Sequence, residues 1–394
     1  MLPDAFHQNA AGKIVRSQRN YWAFVPDSLP PALDLGRLAP LVEEASHAVG
    51  NLKGAGGQLP NPLMLLRPFL RREAVLSSRI EGTLTSFSDL LFFEAAPDAP
   101  AQSADVGEVA NYVVAVERGL EMLDTLPLSL RLCKELHGTL MKDVQRATPG
   151  EFRRSQNWIG PPGCTLDEAA FVPPPLEHMD ECLNAWERFM NEPHPPALVQ
   201  VALMHYQFEV IHPFVDGNGR IGRLLITLFL AQRGLLPQPL LYLSAFFEKN
   251  RSDYYNLLMK VSTSAGWHDW IEFFLRGVRT QAVDAVRRTE KLLALRQSYR
   301  NKALAGGRAA SLTKLVDLLF VRPAISIRGA QEELGVTFRA AQLNIDRLVA
   351  LGLLEEVTGR ERYRVYMARE IARVAMEDLP DDEMPVELPG PSRS

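Results

Sequence analysis

Residues His212 to Arg223, HPFVDGNGRIGR, carry side chains and glycines at a spacing that suits a phosphate chain. His212 follows Val201 to Ile211, whose apolar spacing predicts a buried helix, so the imidazole projects from that helix's C-terminal end. Pro213 then breaks the helix. Asp216, Gly217, Asn218 and Gly219 are what a tight anion-binding turn needs, because glycines allow positive φ and free N–H groups open the next helix. Arg220 and Arg223 lie three apart, so both guanidinium groups share one face of that helix. Two cations at a helix N-terminus oppose the macrodipole, at about 0.3–1 kcal/mol each, which a bound polyphosphate reverses. Asp216 offers the kind of oxygen that hydrated Mg²⁺ takes from a protein. His212 is the nearby group whose ordinary pKa suits a general base.

Taken singly, a histidine after an apolar helix packs or caps, and Asp-Gly-Asn-Gly is an ordinary turn. The ordered combination is far more specific. No GxxxxGK[ST] string accompanies it, which excludes a Walker loop. The stretch resembles the signature of the Fic family, HPFxDGNGRxxR, and matches it without departure. That resemblance implies a protein adenylyltransferase, which moves AMP from ATP to a Tyr, Ser or Thr hydroxyl of a protein, with ATP and Mg²⁺ as cofactors. It implies His212 as the base, Asp216 as the metal ligand and Gly217, Asn218 and Gly219 as the phosphate cradle. Arg220 and Arg223 would bind the phosphate chain, with Ile221 and Gly222 inside the same nucleotide-binding stretch.

A second segment points the same way. A helix is predicted to end at Gly82, which leaves Glu81 at the C-terminal end, where the dipole disfavours a carboxylate. Glu81 is then either solvated or paired with a cation from elsewhere. Ser77-x-x-x-Glu81-Gly82 resembles the inhibitory [S/T]xxxE[G/N] motif of many Fic proteins, which implies that Glu81 pairs with Arg223 and blocks the γ-phosphate seat. Further on, Glu151 to Gly160 and Phe171 to Pro175 are two short runs between prolines, either a hairpin or a plain loop. The resemblance implies a flap, with Trp158, Ile159, Gly160, Phe171 and Val172 docking an extended target segment by strand addition. It also makes Tyr254 a nucleoside contact, although Ser262 stands where some relatives carry Asn.

The elements that must hold these groups are mainly helical. Apolar periodicity predicts helices over Val106 to Leu123, Leu128 to Met141, Leu176 to Asn191, Pro196 to Ile211, Gly219 to Arg233 and Trp267 to Leu295. His137 and His205 read as packing residues. The first 60 or so residues are rich in Pro and Gly, with one helix over Leu38 to Leu52. Beyond Gly306-Gly307, helices over Leu312 to Phe320, Ile327 to Leu334 and Thr337 to Leu351 precede a two-stranded wing around Thr358-Gly359-Arg360. This is a winged helix-turn-helix pattern. Arg339, Asn344 and Arg347 are placed on its exposed recognition face, with Arg360 and Arg362 in the wing, for contact with DNA or with protein. The expected fold is thus mainly α: a Fic helical core with a small β-hairpin flap, plus a C-terminal winged helix-turn-helix domain. Its expected division is an N-terminal segment with the inhibitory helix (1–104), a catalytic core (105–296), a linker (297–310), the winged helix (311–370) and an acidic, Pro-rich tail (371–394).

Composition bounds the rest. At 394 residues the chain holds two or three cored domains, and a net charge of −4 argues against coating nucleic acid while allowing one basic module. Cys133, Cys164 and Cys182 show no metal spacing and read as reduced thiols. No signal peptide is expected, and the apolar run from Leu224 to Ala231 is too short to span a membrane. A cytoplasmic enzyme restrained by Glu81 is the resulting expectation, acting on a target protein hydroxyl, itself included, and with homodimerisation open. Two other readings are a nucleotide-sensing DNA-binding regulator and an enzyme that removes AMP with water oriented by Glu81.

Overall fold

Two stretches of this sequence are apolar around nearly their whole circumference, and such helices belong in a core. A computed structural model describes residues 3–57, 63–99, 105–144, 147–161, 163–193, 196–305 and 309–377. Helices α1 (Leu35–Gly57), α2 (Leu63–Ile80), α3 (Phe87–Ala95), α4 (Val106–Met122), α5 (Leu130–Leu140) and α6 (Leu176–Asn191) come first. The two apolar stretches follow as α7 (Ala197–Ile211) and α8 (Asn218–Gln232), buried along almost their full length. Short helices α9 (Ser244–Lys249) and α10 (Arg251–Ser264) then lead into α11 (Trp267–Ala305). Trp186 on α6 and Trp270 on α11 are both buried and donate their indole N–H to Met204 O and Ala202 O, each at 2.9 Å. The carbonyls of α7 are thereby held by two neighbours. No described helix is long and apolar enough to cross a membrane.

The N-terminal region holds more than the one helix expected there. Strands β1 (Gly12–Arg16) and β2 (Trp22–Pro26) form an antiparallel hairpin, and the Phe24 N–H donates to Val172 O at 2.9 Å. The hairpin therefore backs the region predicted as the flap. Helix α1 starts before Leu38 and contains Pro40 in its second turn, which removes one backbone bond to Gly36 O.

The long helix predicted to end near Leu295 continues to Ala305, into the stretch expected as a linker. Tyr299 and Ala303 are buried there, and Arg296 and Arg300 pair with Asp317 of α12 (Ala309–Val321) at 2.9 and 3.2 Å. Packing on the next helix keeps the segment helical. Strand β3 (Ala324–Ser326), α13 (Ile327–Leu334), α14 (Phe338–Ala350), β4 (Glu355–Glu356) and β5 (Val365–Met367) complete the winged helix, with sheet order β3-β5-β4. Ser326 and Thr337 cap α13 and α14, as their side-chain oxygens accept from Gly329 N and Ala340 N. Arg339 and Arg347 are exposed, but Asn344, expected beside them, is only 8% exposed. It falls on the Ala341, Ile345, Leu348 stripe that faces the module's core.

A last helix, α15 (Arg369–Met376), occupies the start of the expected tail. The buried Arg288 guanidinium caps it, donating to Val374 O at 2.6 Å and Glu377 O at 2.8 Å. Arg71 of α2 likewise donates to Val321 O, the end of α12, at 2.7 Å and to Glu94 at 2.6 Å. The winged helix is thus fastened to α2 and α11. The Gly306-Gly307 boundary and the tail beyond residue 377 lie outside the described residues.

Trp270→Ala removes a buried indole and its hydrogen bond to Ala202 O, so it should destabilise the chain by about 3–5 kcal/mol. A lower urea midpoint at unchanged slope is the expected reading.

Candidate active site

Helix α7 ends at Ile211, and His212 caps it in the left-handed region, φ 49° and ψ 59°, with its N–H donating to Phe208 O at 3.0 Å. Its Nδ1 lies 3.1 Å from Glu209 O. A carbonyl can only accept, so Nδ1 carries the proton and Nε2 keeps its lone pair. Burial pushes the imidazole pKa down to about 4, although Glu209 O, Glu81 and Asp216 pull the other way. The ring is neutral at physiological pH.

The turn that follows is held from inside. Asn218 is buried and bonds Phe214 twice, accepting from its N–H at 2.8 Å and donating to its carbonyl at 2.9 Å. The side chain therefore braces the turn and does not face a ligand. Phe214 stacks on His137, ring centroids 3.7 Å apart and nearly parallel. The Gly150 N–H donates to His137 Nδ1 at 3.0 Å, which leaves Nε2–H to donate to Asp216 O at 3.0 Å. His137 was expected only to pack, yet it sets the backbone of the Asp216 turn. Its place on the apolar face of α5 gave no hint of that task.

Gly217, at φ 81° and ψ 6°, caps α8, and Asp216 Oδ1 accepts its N–H at 2.6 Å. A Cβ at Gly219 would strike the Glu81 carboxylate and the Arg223 guanidinium. A larger residue there would have to push the Glu81 carboxylate aside. Arg220 is buried; it donates to Glu108 at 2.8 Å and lies 3.6 Å from Asp216 Oδ1. Arg223 is also buried and has its fork filled: Nε donates to Ser77 Oγ at 2.9 Å, and Nη2 to Ser77 O at 2.9 Å and Glu81 Oε1 at 2.6 Å. Burial is the largest influence and works against the Arg223 charge, but the acidic groups around it, Glu81 foremost, together outweigh it and the guanidinium pKa rises. The Glu81 side chain remains 35% exposed. Its carboxylate sits over the first turn of α8, where an anion would be seated.

Other expected contacts fall elsewhere. Ile221 is buried in the core, and Gly222 faces Glu209 and His205, so neither borders the turn. Tyr254 is 1% exposed, with its hydroxyl 2.9 Å from His205 Nε2 and its ring stacked on Phe247. It is an interior residue, and the exposed member of the pair is Tyr255 at 42%. Ser262 is buried against the Tyr206 hydroxyl at 2.9 Å.

The flap is reduced to one antiparallel bridge, in which Ile159 and Phe171 exchange backbone bonds of 2.8 and 3.0 Å. Trp158, Ile159 and Gly160 are exposed, and the Trp158 indole donates to Cys164 O at 2.9 Å. Phe171 and Val172 point inward, Phe171 against Phe24 at 5.6 Å, because β2 lies beneath them. Of the five residues expected at the docking edge, three face outward. Among the described residues no cluster of three or more His, Cys, Asp or Glu could hold a metal. The half-exposed Asp216 carboxylate alone fits Mg²⁺, which keeps waters and takes phosphate oxygens for its remaining ligands.

A helical core that presents a histidine, a glycine turn and two arginines in this order defines a Fic/DOC domain. Residues 39–121 match the Fic/DOC family N-terminal domain and residues 127–230 the Fic/DOC family domain, while residues 312–366 match an HTH DNA binding domain. The chain is accordingly a Fic/DOC-domain protein with a helix-turn-helix domain at its C-terminal side. It is similar to protein adenylyltransferase Fic of Drosophila virilis, 33% identical over 140 residues, which are 35% of this chain and 26% of that protein. The Drosophila melanogaster protein of the same name is 31% identical over 140 residues, 35% of this chain and 25% of its own length. The matched region therefore spans about a quarter of those curated relatives. In fold the chain is similar to a Fic family protein from Desulfovibrio desulfuricans, with TM-score 0.56, 21% identity and coverage of 86% of this chain and 98% of that one. It is also similar to a Fic domain containing signaling protein from Bacteroides thetaiotaomicron, with TM-score 0.51, 19% identity and coverage of 64% and 97%.

Burial drives the His205 pKa down to about 3 and that of His137 to about 4, whereas it drives Glu209 up to about 8. The three histidines, His212 included, bind fewer protons folded than unfolded, so they cost stability as pH falls from about 6.5 toward 4. Glu209 has the opposite sign. Its contribution is present below about pH 4.5 and lost as pH rises through about 8. Glu209→Gln should therefore gain Tm relative to the parent across that window, with the difference level above it.

Proposed function

We propose that this chain is a protein adenylyltransferase that moves AMP from ATP to a Tyr, Ser or Thr hydroxyl of a target protein, and that Glu81 restrains it. The observation that carries the reading is the single glycine turn flanked by the proton-free Nε2 of His212 and by the arginine pair, with the Glu81 carboxylate over its anion seat. The name of the Drosophila relatives supports the same reaction. In the reaction, His212 Nε2 accepts the hydroxyl proton as the oxygen attacks the α-phosphorus, and the bond to diphosphate breaks. Arg220 and Arg223 hold the negative charge of the departing diphosphate, so catalysis is by position and electrostatics. Bound Mg²⁺, held by Asp216, would supply further charge neutralisation. Arg223 cannot take a phosphate while Ser77 and Glu81 fill its fork.

α-Labelled ATP with lysate as the target source tests this. Glu81→Gly should label strongly where the parent labels weakly, and Glu81→Gly/His212→Ala should lose about 10²–10⁴-fold of that signal while still binding ATP. No label in any lane, with ATP bound, would overturn the reading in favour of a nucleotide sensor. Loss of label from an AMP-modified target, dependent on Glu81, would reverse the direction.

The helix-turn-helix match and the exposed Arg339 and Arg347 favour a second role for the C-terminal module, contact with duplex DNA. Glu355 and Glu361 dilute its charge. If both arginines meet phosphates, Arg339→Ala/Arg347→Ala should lower the slope of log affinity against log salt by about 2. An unchanged slope in a mobility-shift series would exclude that contact.

A further inference from the structure

A buried arginine is costly unless its donors are matched, and Arg153 is buried with every hydrogen-bond partner a backbone carbonyl among the described residues. Its Nε donates to His212 O at 3.0 Å, Nη2 to Pro174 O at 2.6 Å and Nη1 to Ser155 O at 3.4 Å. Its own N–H donates to Pro213 O at 2.8 Å. Asn157 adds a second donor to His212 O, at 3.1 Å, and one to Phe214 O, at 2.9 Å. Ser155 and Asn157 enter the flap and Pro174 leaves it; Gln156 Nε2 ties the two sides together through Pro173 O at 3.0 Å. The carbonyl of His212 is therefore held by both an arginine and an asparagine from the base of the flap.

His212 needs such a hold. A non-glycine residue in the left-handed region persists only where its surroundings over-determine it. We infer that Arg153 is a positioning residue, one that fixes the backbone of His212 and locks it to the base of the flap on which the target docks. The inference rests on the transfer reading given above. A neutral donor could satisfy the same carbonyls, so the choice of a cation has its own consequence. Around the imidazole, Glu81 and Asp216 attract a proton, and Arg153 is the cation that repels one. Arg153 thus places the base and adds to the burial that keeps its ring neutral.

The test uses the full chain carrying Glu81→Gly, with Arg153→Gln and Arg153→Lys added separately. Two readouts are taken: label from α-labelled ATP into a fixed amount of lysate protein as ATP is varied, and the His212 ring titration by NMR, assigned with His212→Ala. Arg153→Gln should lower the maximal rate by about 10²-fold, because the base is displaced, while half-saturating ATP stays within about twofold. Its His212 midpoint should move up toward the ordinary histidine value. Arg153→Lys keeps the charge but not the fork, so its midpoint should stay near the parent's while the maximal rate still falls. A parental midpoint in Arg153→Gln, or a rate loss matched by weaker ATP saturation, would overturn the inference. Should Arg153→Gln not fold, a parental rate in Arg153→Lys would overturn it as well. If the Glu81→Gly parent itself transfers nothing, the transfer reading fails, and the titration still decides whether Arg153 governs His212.

Discussion

A guanidinium cut off from water must find oxygen atoms, and those that Arg223 finds lie on one segment of chain. Ser77 Oγ accepts from its Nε, and Ser77 O and Glu81 Oε1 accept from its Nη2. This one requirement explains why α2 lies against α8, why its end presents a carboxylate and why a side chain at Gly219 would disturb the pair. An incoming phosphate would satisfy the same donors. The Glu81 pair is one answer to that electrostatic demand, and an anion at the turn would be another.

The two imidazoles are set by a different principle. His137 and His212 are both neutral, yet carbonyls and N–H groups select opposite tautomers for them. His137 must donate from Nε2, because Gly150 occupies its Nδ1, and it thereby orders Asp216. His212 must donate from Nδ1, because Glu209 O stands there, and its other nitrogen is left for chemistry. Neither choice costs a charge in the interior. Each follows from where a helix end places its backbone.

The sequence is most legible where a signal is local. The ordered residues from His212 to Arg223 marked the turn, Gly82 (φ 97°) marked the end of α2, and the turn around Gly359 (φ 59°) marked the winged helix. What the sequence hid depends on partners distant along the chain. Tyr254 and Tyr255 differ by one step of helical phase, and only the placement of His205 and Phe247 decides which is interior. Asn344 has a recognition residue's chemistry but lies on the buried stripe of α14. The hairpin at Gly12–Pro26 carried β-prone residues too few to stand out, and it is stabilised by Val172 far along the chain. Arg153 and His137 gave no local signal at all, since their bonds go to carbonyls that any sequence supplies.

The fastening of α2 has a mechanical meaning. Three successive residues are pinned: Arg71 on the end of α12, Arg72 on Asp284 of α11 at 3.4 Å, and Glu73 by the Ser244 N–H and the Tyr112 hydroxyl, each at 3.2 Å. A rod pinned in this way cannot slide or tilt as a whole. Glu81 therefore hangs on the short piece of chain between Ser77 and Gly82, beyond the pinned part of the rod. The winged helix holds part of that fixed end, so where the Glu81 carboxylate meets Arg223 is set in part by contacts some distance away.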